Sequence, residues 1–538
     1  MSTAPPIRGT FRTDKRARAA YAEGAGIYRI IPRAVCLPAD GDDVTVLVRW
    51  AGERGVPLVP RGAGSAMSGG NVGEGVVVDL TATAGPPVTV VPGTRRARMR
   101  AGATLGELER VASADGLRLP PDPSSWHWAT AGGVVSTNAA GARSVRYGAV
   151  RCWVHAVEMV TGEAQVVRLE RTDGGAGGRT ERETDAATLG HLPTLPAASL
   201  RNWPKVRKNS FGYALAEHAR SGDALDLVIG AEGTLGIVTA VEWRLDSTPT
   251  HRAGIRILLD SYAGLAPLVQ ELLALKVSAL ELLDRTFLDV VRVGEPTVPI
   301  PDAEAVVLVE IEAGSASELR RAVETAVRVA RPRAIGVDAA ISGAGADHLW
   351  RVRHAASPIL ARLPPERRSL QVIEDGCVPV ERVGDYVAAV RRAADETNIP
   401  VVLFGHAGDG NVHVNALPDT TLRGWKQRLG RLYDRVADVV IELGGVHSGE
   451  HGAGRLRAGL LERVYGAEIV QRFREVKQCF DPLGILNPGV ILPSGEPPLS
   501  RLKVGAGAAR LPRDVERGLR EIEQTAGYAT SRLRLADG

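Results

Sequence analysis

Two short glycine-rich segments carry many of the residues in this chain that could do chemistry. The first is GHAGDGNVHVN at residues 405–415, and the second is GEHG at residues 449–452. Their imidazoles and carboxylates are those of His406, His413, His451, Asp409 and Glu450. Imidazole and carboxylate groups together are the ligands of a divalent metal with open coordination positions. They are also the usual general acids and bases, so the pattern indicates metal or acid–base chemistry.

The glycines of the first segment allow its backbone to fold tightly. His406 and His413 are seven positions apart, and such a backbone can bring both imidazoles together. Residues 412–415 are predicted to be a strand, in which His413 and Asn415 share one face because side chains alternate. An amide is therefore expected beside one of the imidazoles.

The elements upstream of these segments alternate between helices and short strands. Val44–Ala51 is predicted to be helical, with Asp42 and Asp43 as candidate N-caps. Residues 55–60 and 75–80 are predicted to be strands, the second of them buried. This alternation is typical of an α/β or α+β fold.

Three blocks of small residues are predicted to be ligand-binding loops. They are PRGAGSAMSGG at residues 60–70, a run from Pro120 to Gly148, and GAEGTLGIV at residues 230–238. Small residues let backbone N–H groups converge on an anion such as a phosphate. The first block lacks the GxxxxGK[ST] pattern and a clear Rossmann setting. Three such loops in one domain can line a long groove and contact one extended ligand.

The composition is that of a folded protein and gives no support for a nucleic-acid partner. Charged residues make up 24% of the 538 residues, and the net charge is +4 without a long basic tract. The four cysteines form no CxxC pair, so no zinc ribbon or iron–sulfur cluster is predicted, and a reducing cytosol is favoured. The chain shows neither a secretory signal nor an apolar run of the ~18 residues that a membrane span requires.

The character of the sequence changes near residue 248, where a domain boundary is predicted. Glycine-rich loops become sparser there, and amphipathic helices alternate with strands such as Ala305–Ile311. Residues 1–20 are polar and are predicted to be loose. Residues 170–195 are predicted to be a surface excursion, and residues 501–538 an amphipathic helical appendage.

Six motifs of the chain resemble a known family. PRGAGSAMSGG, PDPSS…ATAGGVVSTNAAG…YG and GAEGTLGIVT resemble the FAD-binding signature of the vanillyl-alcohol-oxidase superfamily, with its PCMH-type FAD domain. GHAGDGNVHVN, GGVHSGEHGAG and FDPLGILNPG resemble the branch of D-lactate dehydrogenase, D-2-hydroxyglutarate dehydrogenase and the glycolate oxidase flavoprotein subunit. The resemblance covers residues 25–495, with the motifs in the family's order.

The resemblance implies an α+β fold, in which a two-subdomain FAD-binding domain is joined to an α/β cap domain with an antiparallel sheet. The implied segments are an N-terminal arm (1–24), the FAD-binding domain (25–247), the cap domain with the metal site (248–460), a segment returning to the FAD domain (461–495) and a basic C-terminal extension (496–538).

The same resemblance implies a set of FAD-binding residues. They are Arg61, Gly62, Ala63, Gly64, Ser65, Ala66, Pro121, Asp122, Ala131, Gly132, Gly133, Asn138, Gly141, Glu232, Gly233, Ile237, Val238 and Asn487. Some members of the superfamily attach FAD covalently to a His of the first loop. Ser65 stands at the comparable position here, so non-covalent FAD is expected.

The resemblance also makes His406, His413 and Glu450 the ligands of a divalent cation, with zinc as the expected ion. A 2-hydroxy acid could chelate this cation, which would lower the pKa of the substrate hydroxyl. His451 would accept the hydroxyl proton as general base, and hydride would pass from the substrate Cα to flavin N5.

Two further residues are expected to hold the substrate. Asn415 would orient the substrate or the base, and Arg353, in the WxxR-like run LWRVR, would bind the substrate carboxylate bidentately. His447 lies outside the family's ligand positions and is expected to be a bystander.

The chain departs from its relatives at residues 371–379, QVIEDGCVP. Relatives that act on 2-hydroxyglutarate carry a Lys shortly before this proline, and here two acids occur instead. The departure favours a smaller or differently charged 2-hydroxy acid. The run RKNSFGY at residues 207–213 also resembles a family segment, although its side chains receive no role from the sequence.

The function that follows is an FAD-dependent dehydrogenase that oxidises D-lactate, glycolate or a similar 2-hydroxy acid. The alternative is a non-redox FAD enzyme of the alkyl-glycerone-phosphate synthase type. A flavin-free metallohydrolase would leave the three loops without a role, and a catalytically silent subunit would not explain the set of histidines.

The expected partners follow from the redox chemistry. The electron acceptor is expected to be a quinone, a cytochrome, an electron-transfer flavoprotein, an iron–sulfur partner subunit or oxygen. A cytoplasmic location is expected, without nucleic acid or a membrane span. Peripheral contact with the inner face of the membrane and a homodimer are left open.

Overall fold

The computed structural model describes residues 4–171 and 192–537. Its three larger sheets have four, five and seven strands. The strands are β1 Thr10–Arg12, β2 Ala34–Leu37, β3 Leu58–Arg61, β4 Val76–Asp79, β5 Thr89–Val90, β6 Arg96–Arg100, β7 Leu117–Arg118, β8 Val154–Val160, β9 Val166–Glu170, β10 Ile237–Arg244, β11 Asp246–Ser247, β12 His251–Leu259, β13 Ala279–Asp284, β14 Ala305–Ala313, β15 Gly336–Ala340, β16 Gly376–Cys377, β17 Val401–His406 and β18 Asn411–Ala416.

Helices pack around these sheets. In the first half they are Lys15–Ala20, Gly41–Gly52, Leu105–Ala112, Ala131–Thr137, Ser144–Tyr147, Ala197–Arg201, Leu215–Ser221 and Leu225–Val228. In the second half they are Leu265–Leu273, Arg285–Gly294, Ala316–Ala330, Gly343–Ala361, Val383–Thr397, Trp425–Glu442, Leu461–Phe480, Arg513–Thr525 and Arg534–Asp537. Within the described ranges, no helix is both long enough and apolar enough to cross a membrane.

The first sheet has the order β1-β2-β4-β3, and β4 pairs in parallel with β2 and β3. β4 is buried along its whole length, which explains its run of valines. The helix Gly41–Gly52 is capped by Asp40 and not by the predicted Asp42 or Asp43. The reason is tertiary, because the carboxylate of Asp43 accepts hydrogen bonds from the backbone of Gly9 and Ala39.

The predicted looseness of residues 1–20 is wrong for the part that the structure describes. The helix Lys15–Ala20 is capped by Asp14 and buries Ala17, Ala19 and Ala20. It packs against the helix Arg513–Thr525, whose apolar side chains are buried. The three alanines form an apolar face of this helix. The basic residues beside them make the segment look polar in the sequence. The amphipathic helix predicted in the C-terminal tail is confirmed.

The second sheet is antiparallel, in the order β5-β6-β10-β8-β9. Most of the excursion predicted for residues 170–195 lies outside the described residues. β11, which follows β10 in the chain, pairs with the earlier strand β7 to form a two-stranded ribbon.

The third sheet is antiparallel throughout, in the order β15-β12-β14-β13-β17-β18-β16. The predicted strand at Ala305–Ile311 is confirmed as β14, and all nine of its residues are buried. Its continuous apolar run fits a central strand that is covered on both faces.

The chain returns to the first sheet after the helix Leu461–Phe480. The backbone N–H of Leu58 donates to the carbonyl of Ile485, and that of Asn487 donates to the carbonyl of Leu58. The architecture therefore confirms the α+β fold class with an antiparallel cap sheet and a returning segment.

Candidate active site

A cavity of about 750 Å³ lies between the glycine-rich loops and the seven-stranded sheet. Its size is that of a site for a cofactor together with a small ligand. Thirteen of the predicted FAD-binding residues line it: Arg61, Gly62, Ala63, Gly64, Ser65, Ala66, Asp122, Gly132, Gly133, Gly141, Glu232, Gly233 and Val238.

Glycine is required where the first two loops meet. A Cβ on Gly62 would lie 2.1 Å from Oγ1 of Thr130, which is the N-cap of the helix Ala131–Thr137. Gly64 has φ +81°, and its Cβ would lie 2.3 Å from Nη2 of Arg61. These close approaches bring the backbone of the first loop to the cavity surface, as an anion-binding loop requires.

The remaining predicted FAD-binding residues lie behind the cavity wall: Pro121, Ala131, Asn138, Ile237 and Asn487. Asn487 adopts φ +44° and donates hydrogen bonds from its amide to the carbonyls of Gly70 and Glu232. It therefore joins the first and third loops. Asn138 ends its helix in the left-handed region and donates to Ser210.

The predicted strand at residues 412–415 is confirmed as β18, which forms a hairpin with β17. Phe404 pairs with His413 and His406 pairs with Asn411, and paired residues of an antiparallel sheet share a face. His406, His413 and Asn415 accordingly line the cavity together.

Three potential metal-ligand atoms lie close together where the β17–β18 hairpin lines the cavity. Nε2 of His406 lies 3.0 Å from Oε1 of Glu450 and 3.3 Å from Nε2 of His413. Nε2 of His413 lies 3.3 Å from the same Glu450 oxygen. All three residues are buried. Two imidazoles and one carboxylate that share a buried point fit a divalent metal with an open position.

The groups behind the three ligand atoms fix their orientation. Nδ1 of His406 lies 2.6 Å from Oε1 of Glu281, and Nδ1 of His413 lies 3.2 Å from the backbone oxygen of Glu374. Oε2 of Glu450 accepts a hydrogen bond of 2.9 Å from Nζ of Lys208. Partners of this kind hold the imidazole tautomers and the carboxylate of metal sites.

His451 is held by a carboxylate on one side of its ring. Nδ1 lies 2.7 Å from Oε2 of Glu374, and the backbone N–H donates to Asp375. Burial lowers the pKa of His451, but the carboxylates of Glu374 and Asp375 outweigh burial and raise the pKa to about 10. The ring lies 5.2 Å from that of His413. Because Nδ1 is engaged by Glu374, Nε2 is the ring nitrogen that can exchange a proton with a ligand in the cavity.

Arg353 lines the cavity with its guanidinium stacked 4.7 Å above the ring of Phe404. Its Nε donates to Oε2 of Glu281 at 2.8 Å. Glu281 thus binds both His406 and Arg353, and these two partners lower its pKa to about 2 despite the opposing effect of burial. The terminal nitrogens of Arg353 have no acceptor among the described residues and can bind a carboxylate.

Asn415 accepts a hydrogen bond of 3.1 Å from Ser369 through its side-chain oxygen. This contact directs the amide group toward the cavity. His447 does not line the cavity, and its ring packs 5.5 Å from that of Phe211. Burial lowers the pKa of His447 to about 3, so it is a neutral core residue.

Sequence reasoning missed four charged residues of the site: Lys208, Glu281, Glu374 and Asp375. Glu281 carried a signal, because an acid within the apolar strand ALELLD requires a partner. Lys208 lies in the RKNSFGY run that received no role. Glu374 and Asp375 were noticed as a departure from relatives, and their contact with His451 was not predicted.

Comparison with known families is consistent with this geometry. A profile described as "FAD binding domain" matches residues 32–170, and one described as "FAD linked oxidases, C-terminal domain" matches residues 248–491. The solved structure of 4-ethylphenol oxidase from Gulosibacter chungangensis has the same fold, with a TM-score of 0.65 over 90% of this chain and 94% of that one, at 17% identity.

Three curated relatives are similar over most of this chain. Glycolate oxidase subunit GlcD of Bacillus subtilis is 30% identical over 86% of this chain and 89% of its own length. D-Lactate dehydrogenase of Archaeoglobus fulgidus is 29% identical over 86% and 93%. D-2-Hydroxyglutarate dehydrogenase of Escherichia coli is 27% identical over 87% of this chain and 49% of its own length. The resemblance is confirmed: the chain belongs to the family of FAD-linked oxidases, and it is an FAD-dependent oxidoreductase of the branch that contains these three proteins.

Proposed function

We propose that the chain oxidises a small 2-hydroxy acid, such as glycolate or D-lactate, to the 2-oxo acid. The observation that carries this proposal is that His406, His413 and Glu450 converge on the cavity that the glycine-rich loops line. The names of the GlcD and D-lactate dehydrogenase relatives support the same substrate class.

The two bound groups have separate tasks. FAD supplies the hydride acceptor, and a divalent cation, proposed to be zinc, supplies a Lewis acid that lowers the pKa of the substrate hydroxyl. His406 and His413 through Nε2, and Glu450 through Oε1, would hold the cation. FAD is proposed to be non-covalent, because Ser65 is the residue of the first loop at the comparable position.

The protein's own residues orient the substrate and move the proton. Arg353 binds the substrate carboxylate through its terminal nitrogens, and Asn415 orients the hydroxyl. Nδ1 of His451 is engaged by Glu374, so Nε2 of the neutral ring would accept the hydroxyl proton; the raised pKa makes this neutral form a strong base, and its population grows as the pH rises toward about 10. As the hydride leaves Cα, the electron pair of the O–H bond forms the new carbonyl.

The departure at residues 371–379 supports a substrate with one carboxylate. Gln371 and Glu374 of this run line the cavity, and the run contains no Lys that could pair with a second substrate carboxylate.

Electrons must then leave the flavin. The four cysteines contain no CxxC pair for an iron–sulfur cluster, so we propose that the acceptor is a separate molecule: a quinone, a cytochrome, an electron-transfer flavoprotein or an iron–sulfur subunit.

The proposal is tested by mixing the protein with D-lactate, glycolate or D-2-hydroxyglutarate without oxygen. Bleaching of the flavin absorbance near ~450 nm reports hydride transfer, and L-lactate is the control. We expect bleaching by the first two acids. The proposal fails if no D-2-hydroxy acid bleaches the flavin, and an ether-forming exchange without bleaching would instead favour the alkyl-glycerone-phosphate synthase type.

A further inference from the structure

The C-terminal extension, residues 496–537, forms part of the cavity wall. The match to the FAD-linked oxidase profile ends at residue 491, yet Thr525, Ala526 and Tyr528 line the cavity together with the first loop. Ala526 has φ +54° and ends the helix Arg513–Thr525. The extension is therefore a component of the cofactor site.

Specific contacts hold the extension in place. The backbone of Lys503 donates to Ile27, and the backbone of Arg29 donates to Arg501. Oε1 of Glu523 accepts a hydrogen bond of 3.1 Å from Lys503, and the other oxygen is paired with Arg368 of the cap half. These bonds tie the extension to both halves of the protein at the edge of the cavity.

Three stacked side chains connect the extension to the second glycine-rich block. The centre of the Tyr528 ring lies 6.3 Å from that of Trp128. The guanidinium of Arg532 lies 5.6 Å from the centre of the Tyr528 ring and makes a cation–π contact with it. Trp128 and Tyr528 both line the cavity. Arg532 lies behind this wall and is 4% exposed.

Arg532 is a buried cation that forms no salt bridge with a carboxylate of the described residues. Its Nε has no hydrogen-bond partner among the described residues. Burial and, after it, the neighbouring guanidinium of Arg61 lower the pKa of Arg532 to about 10. Asp79 acts on both cations, but its carboxylate is bonded to Tyr21 and Thr81.

Arg61 is the second unbalanced cation at this place. It is 2% exposed and donates to the backbone carbonyls of Glu23 and Asn71. Its guanidinium packs against Gly64 of the first loop. Two buried guanidinium groups that form no ion pair with any described residue thus lie beside the loop whose backbone faces the cavity. Their charge attracts an anion strongly, because low-dielectric surroundings screen it weakly.

We propose that residues 525–532 complete the FAD site: Tyr528 forms its wall, and the buried Arg532, together with Arg61, supplies positive charge for the diphosphate of FAD. A buried cation without a partner costs folding stability. Such a cost persists where it serves a ligand, and FAD brings a dianionic diphosphate to this loop. The inference rests on FAD binding and is independent of the 2-hydroxy acid.

The test is the change Arg532→Met in the full-length chain, which keeps the volume and removes the charge. We expect the dissociation constant for FAD, measured by quenching of flavin fluorescence, to rise by about 10-fold to 100-fold. We also expect the thermal midpoint of the FAD-free protein to stay the same or rise. Arg534→Met is the matched control, because Arg534 is exposed on the same segment.

Two results would overturn the inference. One is an FAD affinity of Arg532→Met equal to that of Arg534→Met. The other is an unchanged FAD affinity with a raised KM for the hydroxy acid, since Arg532 would then serve the substrate. Tyr528→Phe should keep FAD affinity and Tyr528→Ala should weaken it. FAD affinity is read without turnover, so a failure of the proposed hydroxy-acid oxidation would leave this test intact.

Discussion

Nζ of Lys208 lies 2.9 Å from Oε2 of Glu450, whereas Oε1 of the same carboxylate lies 3.0 Å from Nε2 of His406. The two oxygens are therefore divided between a buried ammonium group and the imidazole cluster. Lys208 fixes which oxygen a cation can bind. It also lowers the pKa of Glu450 well below its usual value, although burial opposes this effect.

Replacement of Lys208 by Met should release Glu450 from this orientation. We expect metal affinity to fall by about 10-fold to 100-fold, as for other groups that orient ligands, with elemental analysis after dialysis as the measurement. Lys208→Arg should retain part of the affinity. Lys205→Met, at an exposed position of the same segment, is the control, and equal metal content in all variants would contradict the assignment.

His413→Ala removes one of the three ligand atoms. Metal content per protein should drop, while the flavin content stays near that of the unchanged protein because the glycine-rich loops are untouched. His348→Ala, at an exposed position, is the control. A metal stoichiometry that does not change would show that His413 is not a ligand.

His451→Asn should nearly abolish turnover and leave the protein yellow, because the proposed proton acceptor is lost while the FAD loops are intact. Glu374→Gln should leave His451 in place without its carboxylate partner. We expect kcat to fall by about 10²-fold to 10⁴-fold in the first variant and by less in the second. Turnover that persists in His451→Asn would exclude His451 as the base.

Arg353→Ala should raise the KM for the hydroxy acid far more than it lowers flavin content. A carboxylate bound by a guanidinium contributes about 1.5–3 kcal/mol, which corresponds to about a 10-fold to 100-fold change. Arg351→Ala is the control, since Arg351 is exposed on the same helix. Equal KM values in the two variants would refute the role of Arg353.

Asp284 gives a prediction of stability against pH. Burial raises its pKa to about 6, although Oδ1 caps the helix Arg285–Gly294 through the backbone of Phe287. The folded state therefore favours the protonated form, and stability is lost as the pH rises from the unfolded pKa near ~4 through about 6.

Asp284→Asn keeps the capping oxygen and removes the charge. It should stabilise the protein by about 1–3 kcal/mol at pH 8 and have little effect at pH 4, as measured by thermal or urea unfolding. Asp289→Asn, half exposed on the same helix, is the control. A loss of stability at pH 8 would contradict the prediction.

The sequence predicted the parts of the site that depend on local spacing. His413 and Asn415 share a face because they are two residues apart on a strand, and the glycine-rich blocks face one cavity because their small residues permit close approach. These features need no knowledge of distant pairing.

Contacts between residues that are far apart in the chain could not be predicted from the sequence. Glu281 is 125 residues from His406, and the contact depends on the pairing of Leu282 with Gly405 between β13 and β17. Likewise, the sequence indicates Asp42 and Asp43 as caps and misses Asp40, because the choice among neighbouring aspartates depends on contacts from residues 8 and 9.

The hairpin β17–β18 limits how this chain can change in length. Its tip, residues 407–410, separates the two imidazoles, and one inserted residue would turn His413 and Asn415 to the opposite face of the sheet. An insertion of two residues would keep the face and move His413 along the strand by ~7 Å. An insertion or deletion that shifts this register should therefore remove an imidazole from the cluster, whereas one that only lengthens the turn should not.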